Sequence, residues 1–173
     1  ANQGTCTNAC RWKYQATPAV ENATGDIVQA FQPTLGIGAP TDHISYGAPV
    51  LHDIGDDRLA ELGVASRRFH LVVARMEPEN QVEMIVRGYR ASNAAFPLVV
   101  VGSAPYAHEY TRIVQSLADT DPRIVLAGAV WDQQVLDQLY GHCLLHLHGH
   151  SIGGTNPSLL RSAGAGAAIA AYD

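Results

Sequence analysis

Short apolar runs separated by helix-length stretches of mixed polarity dominate the chain from Phe69 onward. Phe69–Ala74 (FHLVVA) is the first run, Leu98–Val101 the second, closed by Gly102, and Ile124–Ala127 the third, closed by Gly128. Cys143–Leu147 and Ala167–Tyr172 follow. Between the runs, apolar residues recur at helical spacing over Asn80–Ala91, Tyr106–Leu117 and Gln133–Tyr140, and a further helix is expected from Pro157. A strand half exposed to water alternates apolar and polar residues, whereas a continuously apolar strand is buried on both faces. Strands of that kind alternating with helices predict an α/β fold with a Rossmann-like, doubly wound parallel sheet. Its crossovers are right-handed, and its ligands bind beyond the carboxyl ends of the strands.

The helix pattern places Val82, Ile85, Val86 and Tyr89, and likewise Leu136, Leu139 and Tyr140, against the sheet. Upstream the pattern is weaker. Residues 1–34 hold no sustained period beyond a short helical stretch near Ile27–Phe31. Ile44–Val50 is a brief extended run ending in the turn Gly47-Ala48-Pro49, and Arg58–Leu62 reads as a short helix closed by Gly63. The chain therefore divides into residues 1–43, an N-terminal segment or remnant of a neighbouring domain, and residues 44–173, the repeating domain. An apolar run at the end of the sequence reads as a domain truncated there, whose edge invites self-association.

Composition narrows the class. Of 173 residues, 47% are hydrophobic and 16% charged, enough apolar material for a core. The formal net charge is -5, which offers no electrostatic footprint for nucleic acid. No apolar run reaches the roughly 18 residues of a membrane span, and no signal peptide pattern opens the chain. Asn22-Ala23-Thr24 fits a glycosylation acceptor, read as chance without secretion. Three cysteines (Cys6, Cys10, Cys143) are odd in number and read as reduced thiols of a cytoplasmic protein.

Candidate chemistry lies just past the strand ends. In His148–Arg161 (HGHSIGGTNPSLLR), Gly149, Gly153 and Gly154 permit close backbone approach to a ligand. Thr155 or Asn156 can cap a helix whose first residue is Pro157. Such a helix start directs N–H groups and the positive end of its dipole at the crevice, which suits a phosphate. Neither a Walker loop nor the dinucleotide fingerprint is present. Arg75 follows the first strand, where a forked cation fits a diphosphate, although Glu77 and Glu79 offer it local partners. His142, His146, His148 and His150 are spaced as if along one face of the fourth strand, with Cys143 opposite. Alternate strand residues stand about 6.6 Å apart, too spread to converge on a metal, so no metal site is expected. His148 and His150 lie nearest the crevice and are read as ligand contacts; His142 and His146 are read as packed or solvated. Asp119, Asp121, Asp132 and Asp137 are read as solvated charges.

Four ordered segments carry a family resemblance: VVARMEPENQVEMIVRGY, PLVVVGSAPYAHEYTRIV, RIVLAGAVWDQQVLDQLYGHC and HLHGHSIGGTNPSLLRSAGAGAAIAAYD. Over about residues 44–173 the chain resembles the C-terminal, nucleotide-sugar-binding domain of the "glycosyl transferases group 1" family, most closely its bacterial rhamnosyltransferase-like members of GT-B architecture. The resemblance implies a retaining transferase that takes a nucleoside-diphosphate sugar, dTDP-rhamnose or a UDP or GDP sugar, for glycan or polysaccharide synthesis. It implies no cofactor. The saccharide or lipid-linked acceptor would be held by a missing N-terminal domain, so this chain alone is expected to be inactive. The full-length protein would work in the cytoplasm or at the inner face of the membrane.

By the same resemblance Arg75 contacts the donor diphosphate, with Asn80 or Gln81 where the family has Lys. Gly102 and Ser103 form the turn beside the nucleotide. The backbone of Ala127–Val130, including Gly128 and Val130, reads the base, with Trp131 as a wall. Gly153, Gly154, Thr155 and Asn156 hold the phosphates. The family's two glutamates, eight positions apart, fall at Gly153 and Arg161. Arginine only donates hydrogen bonds, so it cannot replace a carboxylate on ribose hydroxyls. No catalytic residue is assigned. A degenerate nucleotide-binding module is the second reading. A third is an epimerase or dinucleotide dehydrogenase, against which stands the absence of a glycine fingerprint after the first strand.

Overall fold

The computed structural model describes residues 47–152 and 156–172. All lie within one unit, Tyr46–Asp173. The readings placed on Cys6, Cys10, Asn22-Ala23-Thr24, Ile27–Phe31 and residues 44–46 lie outside the described residues, as do those on Gly153, Gly154 and Thr155.

Five strands form one parallel sheet: β1 (His70–Val73), β2 (Leu98–Val101), β3 (Ile124–Gly128), β4 (Leu145–His148) and β5 (Ile169–Ala171), in the order β3-β2-β1-β4-β5. Connecting them are α1 (Val82–Ala91), α2 (His108–Ala118), α3 (Gln133–His142) and α4 (Pro157–Gly164). The order reverses direction at β1, which pairs with β2 on one side and β4 on the other. Chain direction thus opens a crevice beyond the ends of β1 and β4, the place where such sheets hold ligands.

The sheet separates two cores. On one face Val72, Leu98, Val100 and Ile124 meet Val82, Val86 and Tyr89 of α1 and Val114, Leu117 and Ala118 of α2. On the other, Phe69, Leu71, Val99 and Val101 meet Val135, Leu139 and Tyr140 of α3, together with Leu59 and Val64. All four residues of β2 are buried, which is why its sequence is uniformly apolar. At the edge of the sheet, β5 leaves Ile169 half-buried and Ala170 and Ala171 exposed.

Several boundaries differ from the pattern. The helix expected from Asn80 begins at Val82, because Pro78–Asn80 forms a separate 3₁₀ turn and Gln81 takes a left-handed φ of 52°. The turn at Leu59–Leu62 is likewise 3₁₀, closed by Gly63 at φ 70°. Residues 47–50 form no strand. His142 is not on the fourth strand: α3 runs through it, and the Cys143 N–H closes that helix on the Leu139 carbonyl. Its ring instead bonds Ser66 Oγ and the Ile54 carbonyl oxygen.

Asp119 and Asp132 are exposed, as read from the sequence, whereas Asp121 departs from a solvated charge. Asp121 is buried and ion-paired with Arg123 at 2.7 Å. Asp132 caps α3 by accepting from the N–H groups of Gln134 and Val135.

Candidate ligand-binding site

A cavity of about 330 Å³ opens at the carboxyl edge of the sheet. Its floor and walls come from successive strand ends: Val73, Ala74 and Arg75 at the end of β1, Val101, Gly102 and Ser103 at the end of β2, and Ala129, Val130 and Trp131 after β3. Asn80, Leu136 and His150 close its sides, and Asn156, Pro157 and Ser158 bring in the start of α4. Residues singled out in the sequence therefore meet in one place: Arg75, Asn80, Gly102, Ser103, Val130, His150 and Asn156, with Trp131 and Pro157 beside them.

Gly102 makes this edge possible. It sits at φ 146°, and a Cβ there would stand 1.7 Å from the Ala74 carbonyl oxygen. Only a residue without a side chain lets the β1 and β2 ends run so close. Its N–H donates to the Gly128 carbonyl at 2.8 Å, tying in the end of β3. Gly128 (φ 68°) thus shapes the rim through its backbone, outside the cavity lining.

Arg75 is held on two sides. Its Nη1 donates to the Tyr106 hydroxyl at 3.2 Å, and its Nη2 lies 3.0 Å from Glu77 Oε2. Tyr106 in turn donates to Glu77 Oε1 at 2.5 Å. The Tyr106 hydroxyl, with the guanidinium beside it, holds the Glu77 carboxyl below its usual range. The local carboxylate anticipated for Arg75 is thus Glu77, and an exposed tyrosine, which the hydrophobic pattern gave no reason to single out, completes the arrangement.

At α4, Asn156 takes the cap: its Oδ1 accepts from the Ser158 N–H at 2.9 Å and from the Ser158 hydroxyl at 2.8 Å. Pro157 has no N–H to give. The first two helical positions therefore offer an incoming anion less than the sequence suggested, since one donor is missing and the next already has its acceptor.

Arg161 is not among the lining residues. Its Nε and Nη2 donate to Asp137 Oδ1 and Oδ2 at 2.6 and 2.8 Å, a two-pronged pair joining α4 to α3. Asp137 is thereby a structural partner.

The histidines separate by depth. His146 is fully buried against Tyr140, ring centroids 5.4 Å apart, with both ring nitrogens unpartnered. His148 is buried beside it and does not line the cavity. His150 does, with Nδ1 2.9 Å from Asn80 Oδ1. No group of three or more metal-ligating side chains is found among the described residues. No helix among them is long and apolar enough to cross a membrane.

Comparison with known proteins bears on the fold. No family model matches the chain. Its structure resembles the GtfA/B complex at 19% identity and TM-score 0.51, covering 64% of this chain and 22% of that one. It resembles TarM at 13% identity and TM-score 0.50, covering 74% of this chain and 23% of that one. A mutant form of S. aureus TarM in complex with Fondaparinux, alpha-GlcNAc-glycerol and UDP matches at 12% identity and TM-score 0.50, over 73% and 30% of the two chains. These likenesses show the fold, a Rossmann-like parallel sheet flanked by helices that this chain shares with part of those chains.

Among curated proteins, tRNA hydroxylation protein P of Escherichia coli (strain K12) is 51% identical over 51 residues, 25% of this chain and 11% of that protein. Its counterpart in Haemophilus influenzae is 43% identical over 54 residues, 25% of this chain and 12% of that protein. The chain thus spans about a tenth of the length of these curated relatives and 22–30% of the GtfA/B and TarM chains.

Proposed function

We propose that this chain is the donor-binding domain of a retaining glycosyltransferase and that its cavity takes a nucleoside-diphosphate sugar. The observation that carries this reading is the convergence of Arg75, the Gly102–Ser103 turn, the 129–131 wall and the start of α4 on one cavity at the switch point of the sheet. The diphosphate would lie between the Arg75 guanidinium and α4, where a forked cation and a helix dipole both favour negative charge. Gly153, Gly154 and Thr155 join the phosphate loop by sequence. The base would lie along Ala129 and Val130 against Trp131, which is 89% exposed and presents an open aromatic face.

When the leaving diphosphate gains charge, Arg75 and the helix start would stabilise it, the electrostatic part of such a transfer. Rhamnose as the sugar, glycan synthesis as the outcome and an acceptor held by a second domain follow from the family resemblance. A second reading has its own support. Arg161 is spent on Asp137 and the Ser158 N–H on Asn156, which favours a module that binds nucleotide without turnover.

A thermal-shift screen of UDP, dTDP, GDP, ADP and NAD tests the reading. A ligand at 100 times its dissociation constant stabilises by about 2.7 kcal/mol, which is readily detected. A shift for at least one nucleoside diphosphate and none for NAD is expected. A shift for NAD alone, or for none of the five, contradicts it.

A further inference from the structure

We infer that His150 is a specificity-determining residue of this cavity, held in the Nδ1–H tautomer so that Nε2 accepts a hydrogen bond from a hydroxyl of the bound sugar. The inference rests on the nucleotide-sugar reading above and assigns a chemical role to one ring nitrogen within it.

The tautomer follows from Asn80, which is 4% exposed. One end of its amide lies 3.0 Å from the Arg75 carbonyl oxygen. A carbonyl can only accept, so that end must be the NH₂ group, whichever way the amide is drawn. The other end, facing His150 Nδ1 at 2.9 Å, is then the amide oxygen, an acceptor. His150 Nδ1 must carry the proton. A neutral imidazole with its proton on Nδ1 has a lone pair on Nε2. With Nδ1 committed to Asn80, Nε2 is the nitrogen left to meet a ligand in the cavity that His150 lines.

The arrangement is built rather than incidental. Gly149 brings the chain so near the 80–81 backbone that a Cβ there would stand 2.5 Å from the Asn80 carbonyl oxygen. On the other side of His150, the Ser151 N–H and hydroxyl both donate to the Glu79 carbonyl, at 2.9 and 3.0 Å. His150 is thus fastened before and behind, and its ring is bonded to a buried amide. Groups fixed by packing and by supporting hydrogen bonds are the ones that discriminate between ligands.

The chemistry then selects the ligand atom. Phosphate oxygens of a diphosphate accept hydrogen bonds, and a lone pair on Nε2 repels them. A hydroxyl donates. A ring in this tautomer therefore favours a hydroxyl over the diphosphate oxygens; assigned to the donor sugar rather than to the ribose, it adds to affinity only when the sugar is attached.

Two measurements test this. Histidine ¹⁵N–¹H correlation spectra at about pH 8.5, above the ordinary imidazole range, should show His150 protonated on Nδ1 in the wild-type chain. In Asn80→Ala it should revert toward the Nε2–H form. Binding is then compared for UDP, dTDP, GDP or ADP, whichever binds tightest, and for its glucose conjugate. His150→Asn keeps an amide near the Nδ1 position and loses reach into the cavity. It should weaken the conjugate about threefold to tenfold and leave the diphosphate unchanged, the loss expected for one neutral hydrogen bond. His150→Gln, whose amide reaches the Nε2 position, should recover part of that loss. A wild-type Nε2–H tautomer, or equal losses for conjugate and diphosphate, overturns the assignment of His150 alone. If the wild-type chain binds no nucleoside diphosphate, the functional reading fails and this inference fails with it.

Discussion

His146 carries a burial cost that can be measured. Its ring is fully buried with neither nitrogen partnered, and burial, with His148 nearby, lowers its pKa from 6.5 to about 4. In the unfolded chain the same imidazole takes up a proton as pH falls through about 6.5. Between those two values the unfolded state binds more protons than the folded one. The contribution of His146 is therefore complete above about pH 6.5 and is lost as pH falls toward 4, by up to about 3 kcal/mol. Urea unfolding of the wild type and His146→Leu between about pH 7.5 and 4.5 reads this directly. The wild type should lose more stability than the variant across that window; equal losses would mean that the imidazole is protonated or hydrated in the folded chain.

Between elements, the pair Arg161–Asp137 links α4 to α3 with both side chains largely withdrawn from water. A two-pronged guanidinium–carboxylate contact in that setting should be stronger than a surface pair, with a coupling of about 1–2 kcal/mol. A double-mutant cycle of Arg161→Ala and Asp137→Ala by urea denaturation measures it, and a coupling near zero would show the pair to be incidental. This pair also marks what the sequence could not convey. The parallel sheet was legible because the apolar runs of β1 and β2 are buried against both cores, so they had no competing explanation. The start of α1 was not, because Pro78–Asn80 has helix-like spacing and only the backbone of Gln81 separates turn from helix. His142 fell on the wrong element because its distance from His146 suits either period. Strand ends located most cavity residues, Arg75, Gly102, Val130 and His150 among them. Two pairings that modify them left no trace in the pattern: Tyr106 with Arg75 and Asn80 with His150 depend on three-dimensional placement, whereas the Asn156 cap on Ser158 was one of the two the sequence offered.

As a whole, the described unit has an asymmetric surface, with a ligand cavity at the strand ends and an exposed edge at β5. That strand pairs with β4, and Ala171 and Tyr172 are open to water. A strand edge with small apolar side chains is a template for pairing with another copy. Sedimentation should show concentration-dependent self-association that Ala171→Lys suppresses, and a monomer at all concentrations would contradict it.

The central claim, a diphosphate bound against Arg75, is tested most directly by calorimetric titration of the wild type and Arg75→Ala. The ligands are the tightest-binding nucleoside diphosphate and its free nucleoside. A charged hydrogen bond contributes about 1.5–3 kcal/mol, and Glu77 retains part of the guanidinium, so the variant should bind the diphosphate about tenfold more weakly. The free nucleoside should bind both proteins alike. Unchanged diphosphate affinity, or equal losses for diphosphate and nucleoside, would contradict the account.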